Sequence, residues 1–217
     1  MKKYVFTDES GCMTFARRPN ISRYFILCTV HLEPNGIGSE IMALWRDLAW
    51  NGYLQDNCIH AASDPQDVRD EVFALLQGHD FRIDATILEK SKAQPQIRVT
   101  DVRFYQYAWF YHFKHVGPRI FEATDEALIC NASIGTSKKR AAFKSAIHDM
   151  AEQSLPNLSW VVTFWPANSD PCLLVADYCA WAIQRKWELE DDRSYALIQN
   201  KIATEFELWR NGTKHYY

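Results

Sequence analysis

Asp8 and Glu9 stand side by side at the end of the hydrophobic run Tyr4-Val5-Phe6, just ahead of Ser10-Gly11. A carboxylate at the end of a strand sits where open α/β folds place their ligands, although Asp-Glu-Ser-Gly also has the composition of a solvated turn. Asp177 is a different case. On a helix its neighbours three and four positions away are Leu173, Leu174, Ala180 and Trp181, all apolar. Its carboxylate is therefore at the mouth of a pocket or buried, and a buried one needs a cation, a hydrogen-bond donor or a proton. A backbone amide or an arginine would satisfy it as well as a metal would. Glu89 ends another apolar run, beside Lys90 and Lys92, where the alternative is a surface ion pair of little worth.

Three acids from a first strand, a later strand and a late helix are the ingredients of a site for one or two Mg²⁺ or Mn²⁺ ions. Carboxylate oxygens are hard ligands, and paired metals activate water and stabilise the leaving oxygen in phosphodiester hydrolysis. His60, in Cys58-Ile59-His60-Ala61-Ala62, precedes a helix and is placed either to orient a substrate and transfer a proton or simply to pack. Lys138-Lys139-Arg140 and Arg185-Lys186 are candidate phosphate contacts, or else solvated helix faces.

The elements that must position these groups are legible in the periodicity. Residues 3–8 read as a strand, and Met13 to Arg17 and Tyr24 to Leu32 as two more, joined by Arg18-Pro19-Asn20 at a spacing that favours antiparallel neighbours. Ile41, Leu44, Trp45, Leu48 and Ala49 recur at helical spacing within Ser39 to Trp50, with Asn51-Gly52 as the stop. Asp64-Pro65 reads as a cap with a first-turn proline, ahead of the stripe Val68, Val72, Leu75, Leu76. Phe81 to Glu89 has the near-continuous apolar pattern of a strand buried on both faces. A helix over Asp101 to Val116, a strand over Ala127 to Ile134, a helix over Lys138 to Leu155 and a strand over Leu158 to Trp165 follow. Asp170-Pro171 repeats the cap-and-proline signal before a helix through Trp187, and Asp191 or Asp192 starts a last helix through Trp209. Opening strands followed by helices alternating with single strands predict one α/β domain over residues 1–217, a mixed sheet covered by helices.

Composition narrows the partners. Among 217 residues, 24 basic and 27 acidic groups leave a net charge of -3, so nucleic acid or anionic membrane would have to meet a local patch. Six cysteines without a Cys-x-x-Cys pair read as reduced, mostly buried thiols, which predicts a cytoplasmic protein. The amino terminus meets Asp8 and Glu9 too early for a signal-peptide core, and no apolar run approaches a membrane span.

The stretches Tyr4-Val5-Phe6-Thr7-Asp8-Glu9-Ser10-Gly11, Ile59-His60-Ala61 with Asp64 through Val72-Phe73, and Ile83-Asp84-Ala85 with Glu89-Lys90 carry a resemblance that runs nearly end to end. The most specific part is Ala176-Asp177-Tyr178-Cys179-Ala180-Trp181-Ala182-Ile183 with Arg185-Lys186-Trp187-Glu188, Asp192-Arg193-Ser194-Tyr195 and Glu205-Phe206. On these residues the chain resembles the domain of unknown function 3800 family, bacterial and phage proteins assigned to the ribonuclease H-like fold. The resemblance implies a three-stranded antiparallel start, a parallel extension and a late helix bearing the final acid. It also implies Asp8, Glu89 and Asp177 as metal acids, with Asp84, Glu9, His60 and Lys90 as secondary members. The leading expectation is a Mg²⁺- or Mn²⁺-dependent nuclease whose substrate is nucleic acid. Similar sequences tend to have Gln before the Ala-Asp of the late helix, where Leu174-Val175 stands here, and Asn131 ends its strand in an amide rather than an acid. With the negative net charge, the Leu174 departure favours the alternative, a catalytically inactive nucleic-acid or protein-binding module of phage defence or of a mobile element.

Overall fold

The computed structural model describes residues 1–54, 58–132, 137–154 and 158–217, and for residues 34, 35, 137–140, 146, 150, 151 and 154 the backbone alone. In chain order the elements are β1 (Lys2–Ser10), β2 (Tyr24–His31), α1 (Pro34–Trp50), α2 (Gln66–Gln77), β3 (Arg82–Glu89), α3 (Asp101–Ile120), β4 (Glu126–Ala132), α4 (Ser137–Ser154), β5 (Ser159–Trp165), α5 (Pro171–Leu189), α6 (Arg193–Ile198) and β6 (Ile202–Glu207). The six strands form one mixed sheet in the order β5-β4-β1-β2-β3-β6. β1-β2 and β2-β3 are antiparallel, and the β1-β4, β4-β5 and β3-β6 pairs are parallel. This α/β arrangement, with helices on the sheet, is compatible with a single ribonuclease H-like domain.

Strand alternation divides the core in two. Phe6, Ile26, Cys28, Val30, Ile83, Ala85 and Ile87 face a cluster completed by α1, α2, α5 and α6. Val5, Leu27, Leu88 and Ile129 face the other, built mainly on α3 and including Phe143 and Ile147 of α4. α5 is buried nearly all round from Cys172 to Ile183, which is why its sequence lacks a polar stripe. Asp170 caps it as expected, accepting from the Cys172 N–H at 2.8 Å. No helix among the described residues is long and apolar enough to cross a membrane, and all six cysteines are free.

Several expectations need correction. Met13 to Arg17 is irregular, so the third antiparallel strand is β3, which arrives only after two helices. The reason is that Lys90 binds the Thr14 carbonyl and, with Ser22, the backbone of Cys12 just before the segment, in place of a strand ladder. The last helix stops at Ile198, and Ile202–Glu207 pairs with β3 as an edge strand. Its alternating Ile202, Thr204 and Phe206 suit a pleat better than a helix. Asp64 does not cap α2, whose N-cap is Pro65 without a side-chain bond. Residues 133 and 134 of the strand predicted over Ala127 to Ile134, and residue 155 of the following helix, lie outside the described residues.

Behind the sheet centre, His112 of α3 bridges two strands, with Nε2 2.9 Å from the Thr29 hydroxyl and Nδ1 2.9 Å from the Thr86 hydroxyl. Complete burial pushes its pKa down to about 4. The unfolded chain then binds a proton that the fold excludes, so stability is intact above pH ~6.5 and falls as pH drops through that window. Over the window the loss from this one group is about 3 kcal/mol. Urea midpoints at pH 7.5 and pH 4.5 should therefore fall more steeply on acidification in wild type than in His112→Gln. Equal slopes would show that burial does not hold this imidazole neutral.

Candidate active site

Alternation along β1 turns Phe6 and Asp8 toward α5, and Thr7 and Glu9 toward α3. α5 crosses this face of the sheet and carries Asp177, and the Asp8 side chain lies within hydrogen-bonding reach of it. Two carboxylates can bond to each other only if one carries a proton. Burial first, then the charges of Asp177 and Glu9, raises the Asp8 pKa well above the ordinary carboxylate range. Asp177 is 8% exposed and uses one oxygen, Oδ2, for two protein donors: the Ala61 N–H at 2.8 Å and His60 Nδ1 at 3.0 Å.

The segment that brings these donors is itself tied down. Asp64 Oδ2 accepts the His60 N–H at 2.8 Å and the Tyr178 hydroxyl, the residue after Asp177. Ser63 and Asp64 also donate their backbone N–H groups to the His60 carbonyl. The acid read as a helix cap is instead the clamp that holds the histidine loop against α5. His60 keeps 52% of its side chain exposed, with Nδ1 on Asp177 and Nε2 as the remaining ring nitrogen. The bond to Asp177 raises its pKa against the opposing effect of partial burial.

Glu9 points to the opposite side of the sheet. Tyr105 of α3 donates its hydroxyl to Oε1, and Oε2 is buried without a partner. Burial pushes the Glu9 pKa up to about 7, against the Tyr105 bond. No spacing in the sequence announces Tyr105, which comes from another helix.

The structure does not bring Glu89 to the pair. In the register, Asp8 lies across from Cys28 and Cys28 across from Ala85, with Glu89 four residues further along β3. Two strand spacings and four residues separate the Cα atoms of Asp8 and Glu89 by roughly 16 Å. Glu89 is held by Arg23 (Nη2–Oε1 2.9 Å) and Lys92 (Nζ–Oε2 2.9 Å). Burial works to raise its pKa, but those two cations outweigh it and hold the carboxyl below the ordinary range. Asp84, the other candidate on β3, points to the α3 side. It is fully buried, bound by Arg82 Nε at 2.7 Å and Nη2 at 2.9 Å and by the Thr204 hydroxyl at 2.7 Å. Lys90 is also structural: its buried Nζ donates to the Cys12 and Thr14 carbonyls, each at 2.8 Å, and pins the loop after β1.

Asn131 is committed as well, accepting from Thr7 Oγ1 at 2.6 Å and donating to the Thr163 carbonyl at 3.1 Å. Leu174 is packed in the core. Arg185 pairs with Asp191 and Lys186 with Glu205, so neither offers a free charge to a phosphate. The side chains of Lys138, Lys139 and Arg140 lie outside the described residues.

Among the described residues no three His, Cys, Asp or Glu side chains form a group that could hold a metal ion by themselves. What remains of the expected triad is a two-carboxylate site, Asp8 with Asp177, buttressed by His60 and the Ala61 amide. That donor set fits Mg²⁺, which is commonly held by one or two carboxylates and completes its shell with water and substrate phosphate. Among known proteins, no family model matches the chain. No curated protein matches it either.

Proposed function

We propose that the protein is a divalent-metal-dependent hydrolase of nucleic-acid phosphodiesters, related to the domain of unknown function 3800 family. The observation that carries this reading is the Asp8–Asp177 pair: two carboxylates brought together where α5 crosses the end of β1, with Asp177 held by His60 and the Ala61 amide and the Asp8 pKa raised by burial and by the Asp177 charge. Asp8 and Asp177 would hold Mg²⁺ or Mn²⁺, which supplies Lewis acidity to the phosphoryl oxygens and an activated water. The Ala61 amide and His60 fix the orientation of Asp177 through Oδ2. His60, half-exposed, is positioned to hold or deliver a proton at Nε2 as the leaving oxygen departs.

A second reading, the catalytically inactive ribonuclease H-like binding module, is favoured by a separate observation. Glu89 is locked between Arg23 and Lys92, and Asn131 is spent on Thr7 and Thr163, so no third acid joins the pair. The two readings separate on a panel of labelled DNA, RNA and hybrid substrates incubated with Mg²⁺ or Mn²⁺, wild type beside Asp8→Asn. Cleavage by wild type that disappears in the variant is expected. A wild type that cleaves nothing, and whose melting temperature ignores Mn²⁺, would leave the binding module as the better reading.

A further inference from the structure

The loop from Gly11 to Arg23 connects β1 to β2, and its shape is imposed rather than loose. Gly11 turns the chain at φ 94°, where a Cβ would sit 2.3 Å from the Tyr24 carbonyl oxygen. Lys90 then anchors the Cys12 and Thr14 carbonyls from below, and Ser22 Oγ accepts the Cys12 N–H at 2.9 Å. The loop so held forms one wall of a cavity of about 480 Å³, whose other walls are Glu89 at the end of β3, Ser91 in the turn that follows it, and His215 and Tyr217.

This cavity is basic. Arg17, Arg18 and Arg23 line it against one carboxylate, Glu89. Glu89 already has Arg23 and Lys92, and nearby Glu188 is occupied by the backbone N–H groups of Arg23 and Tyr24. Arg17 and Arg18, both exposed, make no ion pair among the described residues. They differ in this from the other basic residues at this end of the sheet, Lys90, Lys92, Arg185 and Lys186, which are all engaged. On a chain of net charge -3, two unpaired guanidinium groups on a pinned loop make a local positive site. A concave basic site with an aromatic wall, here Tyr217, matches the way proteins track a single-stranded backbone. The cavity also opens at the same end of the sheet as Asp8: β1 and β3 run parallel to each other, and both reach it with their carboxyl ends.

We infer that the cavity bounded by Arg17, Arg18, Ser22, Arg23 and Ser91 is a phosphate-binding subsite for a single-stranded nucleic acid whose scissile group lies at the Asp8–Asp177 pair. The inference rests on the hydrolase reading for the position of the scissile group, and on charge complementarity for the subsite itself. Arginine forks bind phosphate bidentately, so removal of these two should be felt in both affinity and salt dependence.

The test is fluorescence anisotropy with labelled oligo(dT) and oligo(rU) of about 20 nucleotides, in chelator, from about 50 to 200 mM salt. Wild type is compared with Arg17→Gln/Arg18→Gln and with Lys114→Gln/Arg119→Gln, which removes the same charge from the exposed side of α3. The first double variant should bind about tenfold more weakly, and its slope of log affinity against log salt should shrink by about 1.4, or 0.7 for each phosphate contact. The second should stay close to wild type. Equal affinity in the first variant, or equal losses in both, would overturn the subsite. So would a wild type that binds neither oligonucleotide. The hydrolase reading is scored separately, by the Mn²⁺-induced melting shift of wild type against Asp8→Asn, so either idea can fall alone.

Discussion

Replacing Arg82 by Met should lower the stability of the protein by about 3 to 5 kcal/mol, with or without Mg²⁺. Asp84 is fully buried on β3 and its charge is met by the two Arg82 nitrogens and the Thr204 hydroxyl. Methionine keeps the aliphatic stem of Arg82 but leaves the carboxylate with a single donor in the interior, and a stranded buried charge costs far more than a missing surface ion pair. For a chain of this size such a loss lowers the melting temperature by about 10 °C or more. The reciprocal change, Asp84→Asn, should cost less, because Arg82 is 31% exposed and can be rehydrated. Adding Asp84→Asn to Arg82→Met should return much of the lost stability. Thermal melts of the four proteins measure the coupling directly. A Mn²⁺-dependent stability that Asp84→Asn abolishes would reinstate Asp84 as a ligand.

On the proposed hydrolase reading, Asp8→Asn and Asp177→Asn should each reduce hydrolysis by about two to three orders of magnitude, since each would remove one of the two carboxylates proposed to hold a metal whose electrostatic contribution is several kcal/mol. Their effects on the metal-free fold should differ. The Asp8 pKa is raised, so the wild-type fold holds a proton that the unfolded chain releases once pH passes ~4, and the carboxyl destabilises the fold increasingly as pH rises from there. An amide at position 8 carries no charge to oppose Asp177 and offers it a permanent N–H donor. Asp8→Asn in chelator should therefore melt above wild type at pH 7.5, with the difference shrinking toward pH 4. Asp177→Asn gains less, because a neutral amide oxygen is a weaker acceptor for Ala61 N–H and His60 than a carboxylate. In both variants the melting shift produced by Mn²⁺ should collapse. An Asp8→Asn protein that melts well below wild type in chelator would mean that the carboxylate is a structural acid.

The contrast between these acids separates what is local from what is not. The amino-acid sequence by itself determined the α/β class, the placement of Asp8 at a strand end, the Asp170 cap and the isolation of Asp177 on an apolar helix. Each of these follows from residues within a few positions of one another, through the two-residue strand period, the 3.6-residue helix period and the capping of the first turn. It did not determine which acids meet. Asp8 and Glu9 are adjacent in the chain and face opposite sides of the sheet, and Glu89, which also ends a strand, stands four residues beyond the level of Asp8. Which of the adjacent pair faces α5, and how far Glu89 stands from Asp8, depend on helix packing and on the register of β1, β2 and β3, set by pairing between segments far apart in the chain. The same holds for Asp64, whose capping signal gave way to donors from His60 and Tyr178, and for Lys90, drawn from the expected site to the carbonyls of Cys12 and Thr14. A buried polar group takes whatever partner the packed chain brings within reach, and only the tertiary structure decides which one that is.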